Sequence, residues 1–431
     1  MDKIGTKRGL LALSPVVVLL VVYMVGSLVL GDFYAIPIAV AFIVAAIYGL
    51  SLLRGKSMRE RIDLFSAGAA HRDIMYMVWI FCIAGIFAAT AKAMGAADAI
   101  VSLTLRAVPA QFLPAGIFVA SCFVSLAIGT SVGTIVALAP MVTAMATQLG
   151  CEVGWLISVV VGGAFFGDNL SFISDTTIAA TQSQGCKMSD KFRTNFVIVL
   201  PAAIVTLCIY LFGNQLGIVD VSSVAASAEW YRMLPYLVVI GLALTGLNVL
   251  IVLLAGILLA VVIGLLGGSF DLLGIATAFT DGVGSMYEII LISLLAGGLM
   301  NIVKNLGGFD FLISSLGARI RTRRGAECVV SLLTALTNIC TANNTIAIIT
   351  TGSVAKRLSE RYSIPPRKTA SLMDISSCCV QGLLPYGAQV LMAAGLAGIS
   401  PLEIIPWLYY PILLGGMVLL SILFQFPRST R

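Results

Sequence analysis

Residues 77–101 read MVWIFCIAGIFAATAKAMGAADAIV, residues 289–313 read IILISLLAGGLMNIVKNLGGFDFLI, and the two segments align without a gap. The likeness continues upstream, where residues 65–68 match residues 279–282. Matched positions include Lys92 with Lys304 and Gly95 with Gly307, and downstream, after a one-residue shift, Thr134 with Thr345. Self-similarity over this length indicates two copies of one structural unit, which run roughly over residues 10–185 and 232–398.

The composition is that of a membrane protein. Hydrophobic residues occupy 59% of the 431 positions and charged residues 11%, whereas soluble domains carry about 25% charged residues. Apolar runs of about 20 residues, the length of a helix that crosses a bilayer, recur from Leu10 nearly to the C-terminus. The basic residues lie in short loops between these runs, which argues against nucleic acid as a partner. The predicted fold class is an all-α polytopic membrane protein.

The distribution of charge indicates how the two copies are oriented. A basic loop at residues 54–72 corresponds to residues 268–286, which contain no Lys or Arg. Conversely, the poorly charged residues 96–111 correspond to a segment that contains Arg319, Arg321, Arg323 and Arg324. Because basic loops stay in the cytoplasm, the copies are predicted to cross the membrane in opposite directions, with both termini cytoplasmic. Inverted repeats of this kind place a substrate site near the midplane, where the copies meet.

Two pairs of segments are apolar but interrupted by Gly, Pro, hydroxyl or amide residues. Residues 128–140 and 340–352 are predicted to form re-entrant hairpins, which the membrane tolerates where protein or a water-filled cavity satisfies the backbone. Residues 162–185 and 374–398 are predicted to be broken transmembrane helices. The expected breaks are Gly167-Asp168-Asn169 and Leu384-Pro385-Tyr386-Gly387, with Ser171 aligned to Pro385 and Asp175 to Gln389.

Two aspartates in the first broken helix are the leading candidates for ion binding. An ionised Asp at the bilayer centre costs on the order of 3 kcal/mol, so it is expected to be paired or functional. We predict that Asp168 and Asp175 bind Na⁺ or exchange a proton; the alternative is that Asp168 caps the second half-helix and Asp175 is solvated. Asp374 is expected near the edge of its span and partly solvated. Neutral ligands for the ion or substrate are expected among Thr130, Thr134, Asn169, Ser171, Ser174, Thr176, Asn343, Asn344, Thr345, Tyr386 and Gln389.

The segment GDNLSFISDTT at residues 167–177 resembles the GDxxSPxSDTT signature of the NhaC-type sodium/proton antiporters, with Phe172 at the proline position. LLPYGAQ at residues 383–389 resembles the LIPWG-type motif of the same family. The resemblance implies the ion transporter superfamily fold, with inverted repeats, re-entrant hairpins and broken helices. It also implies secondary transport driven by Na⁺ or H⁺ gradients, and relatives in this group include exchangers of organic acids and basic amino acids.

The sequence therefore predicts a Na⁺/H⁺ antiporter in the inner (plasma) membrane, without a cofactor. The alternative is Na⁺- or H⁺-coupled exchange of a small organic acid or amino acid, of the malate/lactate or arginine/ornithine type. The expected partners are a small cation, a proton and the lipid bilayer, and a second copy of the chain is left open. An enzyme is not expected, because intramembrane aspartyl proteases need carboxylates on two helices and Asp168 and Asp175 lie on one segment.

We divide the chain into four parts. The first inverted repeat covers 1–185, and a connecting helix with a periplasmic loop covers 186–231. The second inverted repeat covers 232–398, and a C-terminal transmembrane helix with a short cytoplasmic tail covers 399–431.

Overall fold

The computed structural model of the chain describes residues 6–30, 37–96, 99, 109–171, 174–213, 229–245, 247–317 and 320–427. Within these ranges the regular secondary structure is helical. The helices of the first half are α1 (Thr6–Leu30), α2 (Ile38–Leu52), α3 (Met58–Ala69), α4 (Arg72–Ala93), α5 (Leu113–Ile128), α6 (Ser131–Gln148), α7 (Val153–Leu170), α8 (Asp175–Gln184) and α9 (Met188–Phe212). Those of the second half are α10 (Leu234–Leu244), α11 (Val249–Leu266), α12 (Leu272–Ser285), α13 (Tyr287–Asn305), α14 (Gly308–Gly317), α15 (Arg323–Thr341), α16 (Asn344–Arg361), α17 (Pro366–Leu383), α18 (Ala388–Ala397), α19 (Pro401–Ile404) and α20 (Tyr409–Leu423).

Many of these helices can cross a membrane. Seven helical stretches in the described part of the chain are long and apolar enough to span a bilayer. An eighth is obtained when Pro401–Trp407 and Tyr409–Leu423, which meet at 53°, are taken together. The prediction of an all-α polytopic membrane protein is confirmed.

Helix boundaries repeat along the chain. The pairs α6 and α16, α7 and α17, and α8 and α18 each begin and end 213 positions apart. The same spacing separates the left-handed glycines Gly185 and Gly398 that end α8 and α18. The starts of α9 and α19 are also 213 positions apart, so the correspondence between the two repeats continues past residue 185. The protein therefore consists of two repeats of one helical unit, and the distribution of basic loops is that of inverted-topology repeats.

This register differs slightly from the one that the sequence suggests. The helix boundaries make Asp168 correspond to Gln381 and Thr176 to Gln389, whereas the sequence alignment matches Asp175 with Gln389. Helix ends fix the register, while isolated matches between small apolar residues do not.

Residues 54–72 also differ from the expected loop, because they contain α3. A capping box starts this helix: Ser57 Oγ accepts from the Glu60 N–H, and Glu60 Oε2 accepts from the Ser57 N–H.

The repeats pack against each other reciprocally through glycines. Gly68 on α3 of the first repeat lies against Gly297 on α13 of the second, where a Cβ on Gly68 would come 2.4 Å from the Gly297 carbonyl oxygen. Gly282 on α12 lies in the same way against Gly85 on α4, with a distance of 2.6 Å. Each helix therefore packs on the partner repeat with the same close contact, as small residues allow in membrane helices.

Two helix-turn-helix hairpins point into the centre of the molecule. α5 and α6 meet at Gly129, which ends α5 with φ 76°, and α15 and α16 meet at Ala342, which ends α15 with φ 50°. These turns coincide with the two segments that the sequence predicts as hairpins. Between the hairpins lie α7 and α17, whose residues are mostly buried.

Candidate functional site

Each repeat contains one interrupted helix. Residues 171–174 separate α7 from α8, and residues 384–387 separate α17 from α18. Pro385 explains the second interruption, because proline lacks the N–H that a continuing helix needs. The predicted break at residues 384–387 is confirmed. Phe172, at the proline position of the family pattern, lies outside the described residues.

The first interruption lies further along the chain than predicted. α7 continues through Gly167, Asp168 and Asn169, so the expected break at these residues is wrong. Gly167 instead permits close helix packing, since a Cβ there would lie 2.4 Å from Ser125 Cβ on α5. The second half-helix then begins after Ser174, which is its N-cap residue.

Asp168 is buried at the end of the first half-helix, with 4% of its surface exposed. Its Oδ2 accepts a hydrogen bond of 2.8 Å from Ser131 Oγ, and its Oδ1 accepts one of 2.5 Å from Ser174 Oγ. Ser131 is the first residue of α6, and Ser174 precedes the first residue of α8. The carboxylate thus lies beside two helix N-termini, whose partial positive charge stabilises an anion.

Hydrogen bonds extend from Asp168 into the second repeat. Gln389 Nε2 donates to Ser131 Oγ over 3.0 Å, and Gln381 Nε2 lies 3.0 Å both from Gln389 Oε1 and from the Ala342 carbonyl oxygen. On the other side of Asp168, Ser174 Oγ lies 2.9 Å from Thr176 Oγ1. We refer to Asp168, Ser131, Ser174, Thr176, Gln389 and Gln381 as the central polar chain.

The central polar chain joins both interrupted helices and both hairpin tips. It contains four of the residues predicted from the sequence, namely Asp168, Ser174, Thr176 and Gln389. Ser131 and Gln381 were not predicted. Ser131 lies two residues after Gly129, at the start of a helix, and Gln381 is an amide one turn before Pro385. These positions are the sequence signals that could have identified them.

The remaining predicted residues of the first repeat have local roles. Asn169 Nδ2 donates to the Phe165 carbonyl over 3.0 Å, within α7. Thr134 Oγ1 donates to the Thr130 carbonyl over 3.0 Å, within the first turn of α6. Ser171 is buried at the end of α7, where its N–H donates to the Gly167 carbonyl over 2.8 Å.

In the second repeat, the predicted residues hold the hairpin tip and the break in place. Asn343 is the N-cap of α16, and its Oδ1 accepts from the Ile346 N–H over 3.0 Å. Asn344 Oδ1 accepts from the Thr345 N–H over 3.1 Å. Tyr386 OH donates to the Ile339 carbonyl over 2.9 Å, which ties the break to α15.

The two predicted aspartates lie in different surroundings. Asp168 is buried, whereas Asp175 is exposed as the first residue of α8. The interruption of the helix is the reason, because the seven-residue spacing places both carboxylates on one face only if the helix is continuous. The structure therefore brings Asp168 into the polar chain and leaves Asp175 outside it.

A buried ion pair lies beside the first break and was not predicted. Lys191 Nζ on α9 lies 2.6 Å from Asp374 Oδ2 on α17, and the two side chains are 1% and 0% exposed. Asn195 Nδ2 also donates to Asp374 Oδ2, over 2.8 Å. The expectation that Asp374 is partly solvated is wrong, because Asp374 lies in the middle of α17, one of the most buried helices.

The geometry suits a small cation or a proton. The ion pairs of the described residues include none with Asp168, and the hydrogen bonds that it accepts come from hydroxyl groups. A carboxylate with nearby hydroxyl and amide oxygens is the hard-oxygen environment that an alkali cation requires. The same buried carboxylate can instead be neutralised by a proton.

Comparison with known proteins agrees with this chemistry. The model of a family described as the Na⁺/H⁺ antiporter family matches the chain twice, over residues 8–214 and 213–426. The chain is similar to the Na⁺/H⁺ antiporter NhaC of Alkalihalophilus pseudofirmus, with 21% identity over 89% of each chain. It is also similar to the Na⁺/H⁺ antiporter NhaC of Bacillus subtilis, with 24% identity over 70% of this chain and 73% of that one.

A third relative is named for an exchange that includes organic acids. The chain is similar to the malate-2H⁺/Na⁺-lactate antiporter of Bacillus subtilis, with 20% identity over 72% of this chain and 73% of that one. Similarity therefore extends both to proteins named for cation/proton exchange and to one named for coupled exchange of carboxylates.

Proposed function

The chain belongs to the Na⁺/H⁺ antiporter family, and we propose that it exchanges Na⁺ for H⁺ at Asp168. One observation carries this proposal: a buried carboxylate lies where both repeats meet and has only neutral hydrogen-bond partners. Burying such a charge is costly unless a cation or proton compensates it. Asp168 is therefore expected to hold one or the other for most of the transport cycle.

Competition for a single carboxylate explains the coupling. When Asp168 is ionised, Na⁺ binds to it together with hydroxyl oxygens of Ser131, Ser174 and Thr176. When Asp168 is protonated, its charge is lost and the cation leaves. Hydroxyl groups suit both states because they rotate freely and serve as donor or acceptor. Alternation of the two repeats about this site then exposes it to each side of the membrane in turn.

Exchange of a small organic acid is the second candidate, supported by the second hairpin tip. α16 begins at Asn344 with Asn343 as N-cap, and a helix N-terminus of this kind can bind a carboxylate. The first hairpin tip is different, because the carboxylate of Asp168 already lies at the N-terminus of α6. A substrate carboxylate at the N-terminus of α6 would be repelled by the carboxylate of Asp168. The geometry of the first hairpin tip therefore favours cation/proton exchange.

Transport in proteoliposomes tests the two candidates. Vesicles that contain the purified protein and an internal pH dye are given a pulse of NaCl, and the change of internal pH is recorded. We expect sodium-dependent proton movement in the wild type and in Asp175→Asn, the matched control, and none in Asp168→Asn. Unchanged exchange in Asp168→Asn would remove the proposed role. Exchange that needs malate, lactate or arginine inside the vesicles would favour the second candidate.

We also propose that the protein lies in the inner membrane with both termini in the cytoplasm. The basic residues around α3 and at the start of α15 support this orientation through the positive-inside rule. Cysteines introduced at exposed positions such as Lys56 and Arg324 are expected to react with an impermeant thiol reagent only in inverted vesicles. Reaction in intact cells would contradict the orientation.

A further inference from the structure

The ammonium group of Lys191 is surrounded by oxygen atoms at the first helix break. Lys191 Nζ lies 3.0 Å from the Asn169 carbonyl oxygen, 2.7 Å from Thr177 Oγ1 and 2.6 Å from Asp374 Oδ2. These atoms come from the end of α7, the beginning of α8 and the middle of α17. We call the Asn169 carbonyl, Thr177 Oγ1 and the Asp374 carboxylate the oxygen cage.

The cage has the composition of a binding site for a monovalent metal ion. A backbone carbonyl, a hydroxyl and a carboxylate are the hard ligands that alkali cations take in proteins. The carbonyl ends of a half-helix at a break are also the place where transporters with interrupted helices bind cations. We propose that the oxygen cage is a monovalent-cation site whose occupant is the protein's own Lys191 ammonium.

Two features show that the cage can accept a cation without the lysine. Asn195 Nδ2 donates both to the Asn169 carbonyl, over 2.8 Å, and to Asp374 Oδ2. This amide holds two of the cage oxygens together independently of Lys191. Asp374 Oδ1 is buried and has no hydrogen-bond partner in the described structure, so the carboxylate has an oxygen to spare for a metal ion.

The second repeat shows that a helix break does not require this cage. The positions that correspond to Lys191, Thr177 and Asp374 are Ile404, Val390 and Val161, all of them 0% exposed. The second break therefore forms with apolar contacts where the first has a charged cage. Lys191 is needed for the charge of the cage rather than for the interruption of the helix.

Removal of the ammonium is expected to open the cage to ions from solution. The cage would then retain the buried carboxylate of Asp374 without its positive partner, and a free Na⁺, K⁺ or NH₄⁺ ion would restore the balance. In the native protein the cage takes no ion from solution, so the transported cation binds at Asp168 and its hydroxyl neighbours and not in the cage. This last consequence rests on the proposed function, whereas the nature of the cage does not.

Thermal unfolding of the purified protein in detergent tests the proposal. Melting temperatures are measured in NaCl, KCl or NH₄Cl and in choline chloride of the same concentration. All variants carry Asp168→Asn, which removes the proposed transport site. Lys191→Met in this background is expected to melt at least about 3 °C higher in a small-cation salt than in choline chloride. Asp168→Asn alone is expected to show no difference between the salts.

Two further variants serve as controls. Lys368→Met removes a second buried lysine, which lies on α17 and donates to Ser421 and to the Phe426 carbonyl. This variant is expected to show no small-cation effect. Lys191→Met with Asp374→Asn removes both charges of the cage and is expected to lose the effect. Equal melting of Lys191→Met in choline and small-cation salts would overturn the proposal.

The outcomes separate this inference from the proposed function. If Lys191→Met does not fold, Lys191→Gln is measured in the same salts. Failure of both variants to fold even in high NaCl would also overturn the inference, since Na⁺ should replace the ammonium. If Asp168→Asn alone still melts at a higher temperature in NaCl than in choline chloride, the role of Asp168 is contradicted. The comparison of Lys191→Met with Lys191→Met, Asp374→Asn would still test the oxygen cage.

Discussion

The first interrupted helix carries Asp168 just before its break, and the second carries Gln381 at the corresponding position. Lys191 and Asn195 lie beside the first break, whereas Ile404 and Leu408 lie at the corresponding positions of the second. The two breaks thus share a backbone arrangement and differ in charge. The repeated backbone therefore supplies two equivalent helix breaks, and the charged side chains Asp168 and Lys191 lie at only one of these two breaks.

The hydroxyl donors around Asp168 follow the same asymmetry. Ser131 and Ser174, which donate to Asp168, correspond to Asn344 and Gly387 in the second repeat. A carboxylate placed at Gln381 would therefore lack the two hydroxyl donors that Asp168 has. This difference leads to the largest effect that we predict.

Moving the acid from the first break to the second should abolish exchange. Asp168→Asn combined with Gln381→Asp keeps the number of carboxylates and changes only their place. We expect sodium-dependent proton movement in proteoliposomes to fall to the level of empty vesicles, because the new carboxylate lacks its two hydroxyl donors. Gln381→Asp alone is the control. Recovery of exchange in the double variant would show that the two breaks are chemically equivalent.

The packing of the two interrupted helices differs as well. Gly167 on α7 corresponds to Val380 on α17. Gly167→Val should destabilise the protein by about 3 kcal/mol, because its Cβ must displace α5. Val380→Gly should cost about 1–2 kcal/mol, for lost side-chain contacts and a flexible residue in a helix. Melting temperatures in detergent would check both values. Equal effects would contradict the claim that α7 packs more closely on its neighbour at Gly167 than α17 does at Val380.

Loss of the amide at Gln381 should have a smaller effect. Gln381→Leu removes the donor from the Ala342 carbonyl and from Gln389 Oε1. Unsatisfied buried acceptors of this kind cost about 2 kcal/mol. We expect a lower melting temperature and slower exchange with sodium coupling retained, since Asp168 keeps both hydroxyl donors. Uncoupled sodium flux would show that Gln381 binds the ion.

The sequence predicts the repeats, the hairpins and the second break correctly, because these depend on local signals such as proline, glycine and charged loops. Four residues predicted to bind the ion, Asp168, Ser174, Thr176 and Gln389, lie together in the central polar chain, and their role in ion binding stays a prediction. The sequence places the first break wrongly, since a glycine that allows close helix packing resembles a glycine that ends a helix. Only the tertiary contact with Ser125 distinguishes the two.

The ion pair of Lys191 and Asp374 was missed for a different reason. Lys191 follows a short polar segment and lies between Asp190 and Arg193, a pattern that is typical of a solvated loop. One signal was available: Lys191, Asn195 and Ile198 recur at helical spacing on one face, and the structure shows all three to be buried. An amide and an apolar residue on the same face as a lysine indicate that the lysine points inward.

The hairpin tips give the smallest predicted effects. Gly129 and Ala342 both have a positive φ, at 76° and 50°, and a left-handed conformation costs an alanine about 1 kcal/mol. Gly129→Ala should therefore lower the stability by about 1 kcal/mol. Ala342→Gly should raise the stability by about 1 kcal/mol or less. Glycine removes the cost of the left-handed conformation, and its larger entropy in the unfolded chain offsets part of this gain. Opposite shifts in melting temperature would check this pair of variants.

Competition between Na⁺ and H⁺ at Asp168 can be measured directly as protons released when sodium binds. Purified protein in weakly buffered detergent solution receives NaCl, and choline chloride is the control for ionic strength. We predict that the wild type and Asp175→Asn release protons on addition of Na⁺ and that Asp168→Asn releases none. Proton release from Asp168→Asn equal to that of the wild type would contradict the claim that Na⁺ and H⁺ compete for this carboxylate.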